Sequence, residues 1–261
     1  MRLDTTTWLE VRDYLDRSRG IIILTGSTEQ HGPIGLIGTD TICAENVAVG
    51  VGQIADCLVA PTLAYTPAPF NLAFPGTVSI PAGLFEVLAR EVVDSLRSQG
   101  FCRFYFLNGH GANLEPLNSV KRALAQSSAG PGSRICIRIR SWWAFPEVSS
   151  LRDRFYGEWE GMHATPSEVA ITQAVGRRVT AKAAELPPER LSQAFVRAHA
   201  GDRHGPPDVH RARFPDGRVG SHSALATPEQ GRELLNAAIS AAAADYLQFI
   251  GDDKHGRPSE S

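Results

Sequence analysis

GIIILTGSTEQHGPIGLIGTD, residues 20–40, opens with an unbroken apolar run, Ile21-Ile22-Ile23-Leu24, and passes straight into a loop of glycines and a proline that sets out Glu29, His31 and Asp40. A short apolar run stopped by turn-forming residues reads as a buried strand. The loop behind it has two readings. Three ligand-type side chains make either a metal site or a solvated turn, and the rest of the chain has to decide between them.

Working outward, four-to-six-residue apolar runs alternate with longer amphipathic stretches, the pattern of an α/β domain whose parallel strands are joined by helices. The spacing predicts a helix over 5–18, the strand at 20–25, a helix capped by Thr39 or Asp40 and running to about 55, and a strand near Leu58-Val59-Ala60. Residues 61–80 hold Pro61, Pro67, Pro69 and Pro75 and are expected to be irregular and to line something, being long for a plain connection. Pro81 opens a helix that sets Leu84, Phe85, Leu88, Val92 and Leu96 on one face and stops at Gly100. A strand at 101–107 leads into NGHGAN, then come a helix over 114–127, a strand at 135–139, a helix beginning at Thr165-Pro166-Ser167-Glu168 and an alanine-rich helix over 228–249. Residues 179–226 carry five prolines, many arginines and four of the eight histidines with little periodicity. They read as a flap or an oligomer-contact arm, whose charges serve either an anionic ligand or a solvated surface.

Composition bounds the function. The chain has 261 residues, 43% hydrophobic and 21% charged, enough to bury a substantial core as one domain. A net charge of −2 leaves no basic face for nucleic acid. Cys43, Cys57, Cys102 and Cys136 lie far apart, with no CxxC pair, and read as free thiols. The charged N-terminal stretch is no signal peptide, and no run reaches the roughly 20 apolar residues of a membrane span, so a cytoplasmic protein is expected.

In an open α/β sheet, ligands bind where loops leave the carboxyl ends of the strands, and the candidates collect there. Glu29 and His31 are two apart, so in extended chain they point the same way; His110 lies between Gly109 and Gly111, which let backbone approach whatever the imidazole holds. Imidazole with carboxylates suits zinc, manganese or iron, and Asp40 is able to bridge two ions. Each residue also has a plain reading. Asp40 is a natural helix N-cap, Glu168 completes a capping box with Thr165, and single loop histidines are commonly just hydrogen-bonded.

GSTEQHGPxxxxGTD, NGHGAN at 108–113 and GMHATPSE at 161–168 together resemble the creatininase family of amidohydrolases, and the likeness extends to FPGTVSI at 74–80 and ALATPEQGREL at 224–234. The resemblance covers nearly the whole chain. It implies a single domain over 1–261, a three-layer α/β/α fold with a parallel-rich central sheet, and a homohexamer. It places Glu29, His31, Asp40 and His110 on the metal ligands, with Asp40 bridging two zinc or manganese ions, iron being the third option. His163 falls on a histidine that assists catalysis, Ser79 on a substrate-contacting serine, and Trp159 on an aromatic that covers the substrate.

Three departures matter. Creatinine-hydrolysing members have an aromatic and a glutamate directly after the NGH histidine, where this chain has Gly111 and Ala112. A ligand is thereby missing, Glu168 is its natural replacement, and Gly111 opens a wall of the substrate pocket. Ile34-Gly35-Leu36 replaces a histidine, a leucine and a proline, and the pattern after His163 is altered as well; both changes are expected in substrate territory. The implied activity is hydrolysis of a small cyclic amide or a formamide by metal-activated water, with His163 as proton donor to the leaving nitrogen. Trimming of a precursor peptide, and a non-catalytic binder of metal or ligand, are the alternatives. Two-metal phosphoester hydrolysis ranks below them, since no phosphate-cradling loop accompanies the motifs.

Overall fold

The computed structural model describes residues 1–127 and 135–251; the C-terminal end of the domain expected over 1–261 lies outside the described residues. Four parallel strands, β1 (Gly20–Thr25), β2 (Leu58–Val59), β3 (Arg103–Asn108) and β4 (Cys136–Ser141), form a sheet in the order β2-β1-β3-β4. Among the described residues, ten α-helices surround it: α1 (Trp8–Leu15), α2 (Thr39–Ile54), α3 (Ala82–Ser98), α4 (Leu114–Ser127), α5 (Pro146–Tyr156), α6 (Pro166–Val175), α7 (Lys182–Glu185), α8 (Gln193–His199), α9 (Pro207–Arg213) and α10 (Pro228–Gly251). None of the described helices is long and apolar enough to cross a membrane.

Every residue of β1 and β3 is buried, which is why both read as apolar runs without alternation. Side chains still alternate between two cores. Ile22, Leu24, Tyr105 and Leu107 pack with α2, α5, α6 and α10, whereas Ile21, Ile23, Phe104 and Phe106 pack with α1, α3 and α4. The result is the expected three-layer α/β/α domain. Truncating Phe104 or Phe106, 0% and 1% exposed, to alanine should cost about 3–5 kcal/mol.

The strand order positions the site. From β1 the chain steps outward to β2, then returns to β3 on the other side of β1, with Thr25 opposite Asn108 at the carboxyl ends. That reversal opens a crevice between the loops leaving β1 and β3, the two loops that carry Glu29, His31 and His110.

Local readings hold with instructive shifts. α1 is shorter than the helix over 5–18, because Thr7 and Glu10 close a capping box at its start, with the Thr7 amide donating to Glu10 Oε2 at 2.7 Å. The buried stripe of α3 is Phe85, Ala89, Val93 and Leu96; Leu84 and Leu88 are 54% and 38% exposed, so the face expected from Leu84 and Leu88 is turned by one residue. α5 was not anticipated: its sequence PEVSSLRDRFY buries only Val148 and Tyr156, too little to write a periodic stripe. Within 179–226, α7 to α9 are short helices on an otherwise irregular arm. The four cysteines are free, as expected.

Candidate metal centre

The loop after β1 is folded tightly on itself. Glu29 N–H donates to Ile37 O at 2.9 Å and Gly35 N–H to His31 O at 3.1 Å. A Cβ at Gly35 would lie 2.2 Å from the His31 carbonyl oxygen, so only glycine lets this loop close behind His31. Ile34 is 7% exposed and belongs to the core. Residues 34–36 therefore support the ligand loop from behind and do not line the cavity, which corrects the expectation that they face substrate. Gly109 ties the second loop to the first: its N–H donates to Thr25 O at 2.7 Å, and a Cβ there would meet Asp40 O at 2.3 Å.

Asp40 does not cap α2. The N-cap is Gly38, without a side-chain bond, and Thr39 Oγ1 donates to Leu36 O at 2.7 Å. The Asp40 carboxylate turns into the crevice instead, Oδ1 lying 3.0 Å from His31 Nε2 and Oδ2 3.0 Å from His110 Nδ1, with Ser27 Oγ donating to Oδ2 at 2.6 Å. Glu29 Oε1 is 3.1 Å from His110 Nδ1, and Asn71 Nδ2 donates to Oε2 at 2.9 Å. Glu168 does both things asked of it: Oε2 accepts from Thr165 N and Oγ1 at 3.0 and 2.8 Å, closing the capping box, while the carboxylate also reaches His31 and Asp40.

These donors fall into metal-sized triads, Glu29–Asp40–His110 and His31–Asp40–Glu168, sharing Asp40; Glu29–His31–His163 is a third grouping. Three features fit a pair of divalent ions. Glu29 Oε1 is a buried oxygen with no hydrogen-bond partner. His31 Nδ1 is 3.1 Å from Glu29 O and His110 Nε2 is 2.8 Å from Pro67 O, so donation to those carbonyls leaves His31 Nε2 and His110 Nδ1 as the ligating nitrogens. The carboxylates, finally, hold the imidazoles charged. Burial opposes it, but Asp40 outweighs burial and pushes His31 up to about 10, and Glu29 and Asp40 raise His110 likewise. The site is built for positive charge.

Beside the triads is a cavity of ≈ 180 Å³. His163 and Gly111 line it. His163 Nε2 lies 2.7 Å from Gln30 O. A backbone carbonyl can only accept, so at that distance His163 Nε2–H is the donor and its Nδ1 carries the lone pair, 3.8 Å from Glu29 Oε1. Burial pushes His163 down to about 4, which favours the neutral imidazole.

Ser79 and Trp159 are not brought to this cavity. Ser79 Oγ accepts from Ala68 N at 2.8 Å, and Trp159 packs edge-on against His222 at 5.7 Å with Arg190 over its ring. The aromatic wall is Trp142 and Trp143 instead, in the loop leaving β4; a Trp pair behind a third strand end is a signal the sequence held. Arg152, held by Glu160 Oε1 at 2.7 Å, and Asp202, from the arm, also line it, and nothing local in the sequence marked either.

The family model described as creatinine amidohydrolase (Creatininase) matches residues 4–245. A mycofactocin precursor peptide peptidase of Mycolicibacterium smegmatis is 33% identical over 181 residues, 66% of this chain and 68% of that protein. A 3-dehydro-scyllo-inosose hydrolase of Thermotoga maritima is 34% identical across 95% of this chain and 82% of its own length. Among solved structures, a creatinine amidohydrolase matches with a TM-score of 0.73 at 21% identity, covering 95% of this chain and 97% of that one. A manganese form of creatininase matches at 0.71 and 20% identity, covering 95% and 98%. At such identities the likeness is one of fold.

Proposed function

This chain belongs to the creatininase family, and on that premise we propose that it is a metal-dependent hydrolase opening a carbon–nitrogen bond of a small cyclic amide or formamide. Two divalent ions, zinc or manganese with iron also compatible, would be held by Glu29, Asp40 and His110 and by His31, Asp40 and Glu168, and when bound would activate water and polarise the carbonyl. The observation that carries the reading is Asp40, whose two carboxylate oxygens each face a different imidazole at 3.0 Å with a further acid on each side.

The chain's own residues supply the remainder. His163 Nδ1 accepts a proton from the attacking water and returns it to the leaving nitrogen, while its Nε2–H stays anchored on Gln30 O. Were Glu168 not a ligand, its carboxyl, which burial pushes up to about 7, would be the other group able to hold that proton. Trp142 and Trp143 shield the cavity, and Gly111 lacks the aromatic that closes a wall in creatinine-hydrolysing members, which argues against creatinine itself. The arm over 179–226 would act as a flap or as an oligomer contact. A homohexamer in the cytoplasm completes the reading, and light scattering and cell fractionation test those two points.

A second substrate class has its own support. One relative is named for trimming a precursor peptide, and a cavity lined by Gly109 and Gly111 admits a chain end. Another is named for an inosose, a carbocycle without nitrogen, so a panel should reach beyond amides. Metal analysis followed by lactams, formamides, short peptides and cyclic ketones separates the cases. Two equivalents of metal with turnover of a lactam or formamide support the proposal. Turnover of peptides alone moves it to the second class, and metal without turnover makes the chain a binder.

A further inference from the structure

Gly111 and Ala112 stand where creatinine-hydrolysing relatives are expected to carry an aromatic and a ligating glutamate. The structure fills that position from elsewhere. A Cβ on Gly111 would lie 2.2 Å from Asp202 Oδ2, so the carboxylate of Asp202 occupies the space a side chain at 111 would need. The backbone of Ala112 lies beside the same carboxylate and favours its charged form. Asp202 Oδ2 is 3.8 Å from His110 Nδ1, its side chain is 12% exposed, and the residue lines the cavity. Backbone at Gly201 and Asp202 is left-handed, φ 74° and 56°, a conformation that glycine takes freely and aspartate tolerates. Close by, Glu29 Oε1 is fully buried without a hydrogen-bond partner and faces the same imidazole nitrogen at 3.1 Å.

We propose that Asp202 is the arm's contribution to the metal centre: a carboxylate at the ion held by Glu29, Asp40 and His110, replacing from the arm the acid that the NGHGA loop lacks. Glycine at 111 gives it room beside the Ala112 backbone. Glu168 serves the other ion, so the acid missing from one loop is made up from two directions. Because residues 199–204 carry Asp202, binding an ion there draws the arm onto the cavity and couples metal loading to arm order. The inference rests on the two-ion reading above.

The test uses the full-length protein and manganese titrated against a competing chelator. Asp202→Ala should weaken binding of one of two ions by about 10- to 100-fold, the usual effect of removing a supporting metal partner. Manganese should slow tryptic cleavage at Arg197 and Arg203 in the unmodified protein and leave it unchanged in Asp202→Ala. Gly111→Ala, which crowds the carboxylate without removing it, should weaken the same ion and add nothing in the Asp202→Ala background. Unchanged manganese affinity in Asp202→Ala, or a rise in KM alone, overturns the assignment while leaving the two-ion reading intact. If the unmodified protein binds no manganese or zinc, both fall together.

Discussion

Glu29, Asp40 and His110 are 0%, 2% and 3% exposed and stand on backbone that is in mutual contact, Gly109 bonding to Thr25 and abutting Asp40. Asp202, across the same cavity, stands on an arm held down by rings: Phe70 lies against His204 and His210 at 4.6 and 5.0 Å, and His210 against Phe214 at 5.2 Å. Strand ends position side chains through the sheet's own hydrogen bonds, which nothing short of unfolding removes. An arm positions them through side-chain packing, which can be loosened locally. The first region suits an inorganic frame and the second a part that responds to conditions or ligands.

The largest effect should come from the frame. Asp40→Ala removes the carboxylate shared by both triads, so metal content should drop from two equivalents to below one and hydrolysis should vanish. Metal analysis of the purified variant decides, and retention of both ions would undo the shared-carboxylate account.

Next is the pH dependence of loading. Asp40 holds the His31 proton up to about 10 and His110 is raised too, so an ion must displace protons that the carboxylates favour. Affinity should therefore rise with pH over about 6 to 8, by up to about tenfold per unit for each proton displaced. A pH-independent manganese titration contradicts the charge picture.

Glycine substitutions then compare the two regions directly. Gly109→Ala forces a Cβ to 2.3 Å from Asp40 O and should cost about 1–3 kcal/mol in a denaturant melt. Gly205→Ala, on the arm, meets nothing within 4 Å and should change stability by less than about 0.5 kcal/mol. Equal effects would erase the distinction.

The smallest effect concerns the arm alone. Burial pushes His210 down to about 4, and its Nε2 has no partner. A depressed imidazole is neutral when docked, so docking is complete above the ordinary imidazole range and weakens as pH falls toward 4, because the released arm takes up protons the docked one refuses. Tryptic cleavage of the arm should accelerate modestly between about pH 6.5 and 5, and His210→Phe should flatten that rise.

Much of the frame was legible because its causes are local. Ile21 to Leu24 had to be a buried strand, and donors placed directly behind β1 and β3 had to meet once those strands were neighbours. Asp40 shows where locality ends. An aspartate at a helix start reads as a cap, and only the packed structure shows its carboxylate turned away from the helix, toward two imidazoles. Glu168 carries the same cap pattern and does cap, with its carboxylate also reaching into the triad.

The sequence by itself determined the alternation of strands and helices and the chemical types gathered at the strand ends, because apolar runs and glycine-flanked ligands constrain the chain over a few residues. Tertiary structure alone decided the cavity wall. It put Trp142, Trp143 and Asp202 where Trp159 and Ser79 were expected, and set Ile34-Gly35-Leu36 behind the ligands instead of before the substrate. Those positions depend on how distant segments pack, and packing is settled by shape and volume summed over the whole core, which no short stretch of sequence records.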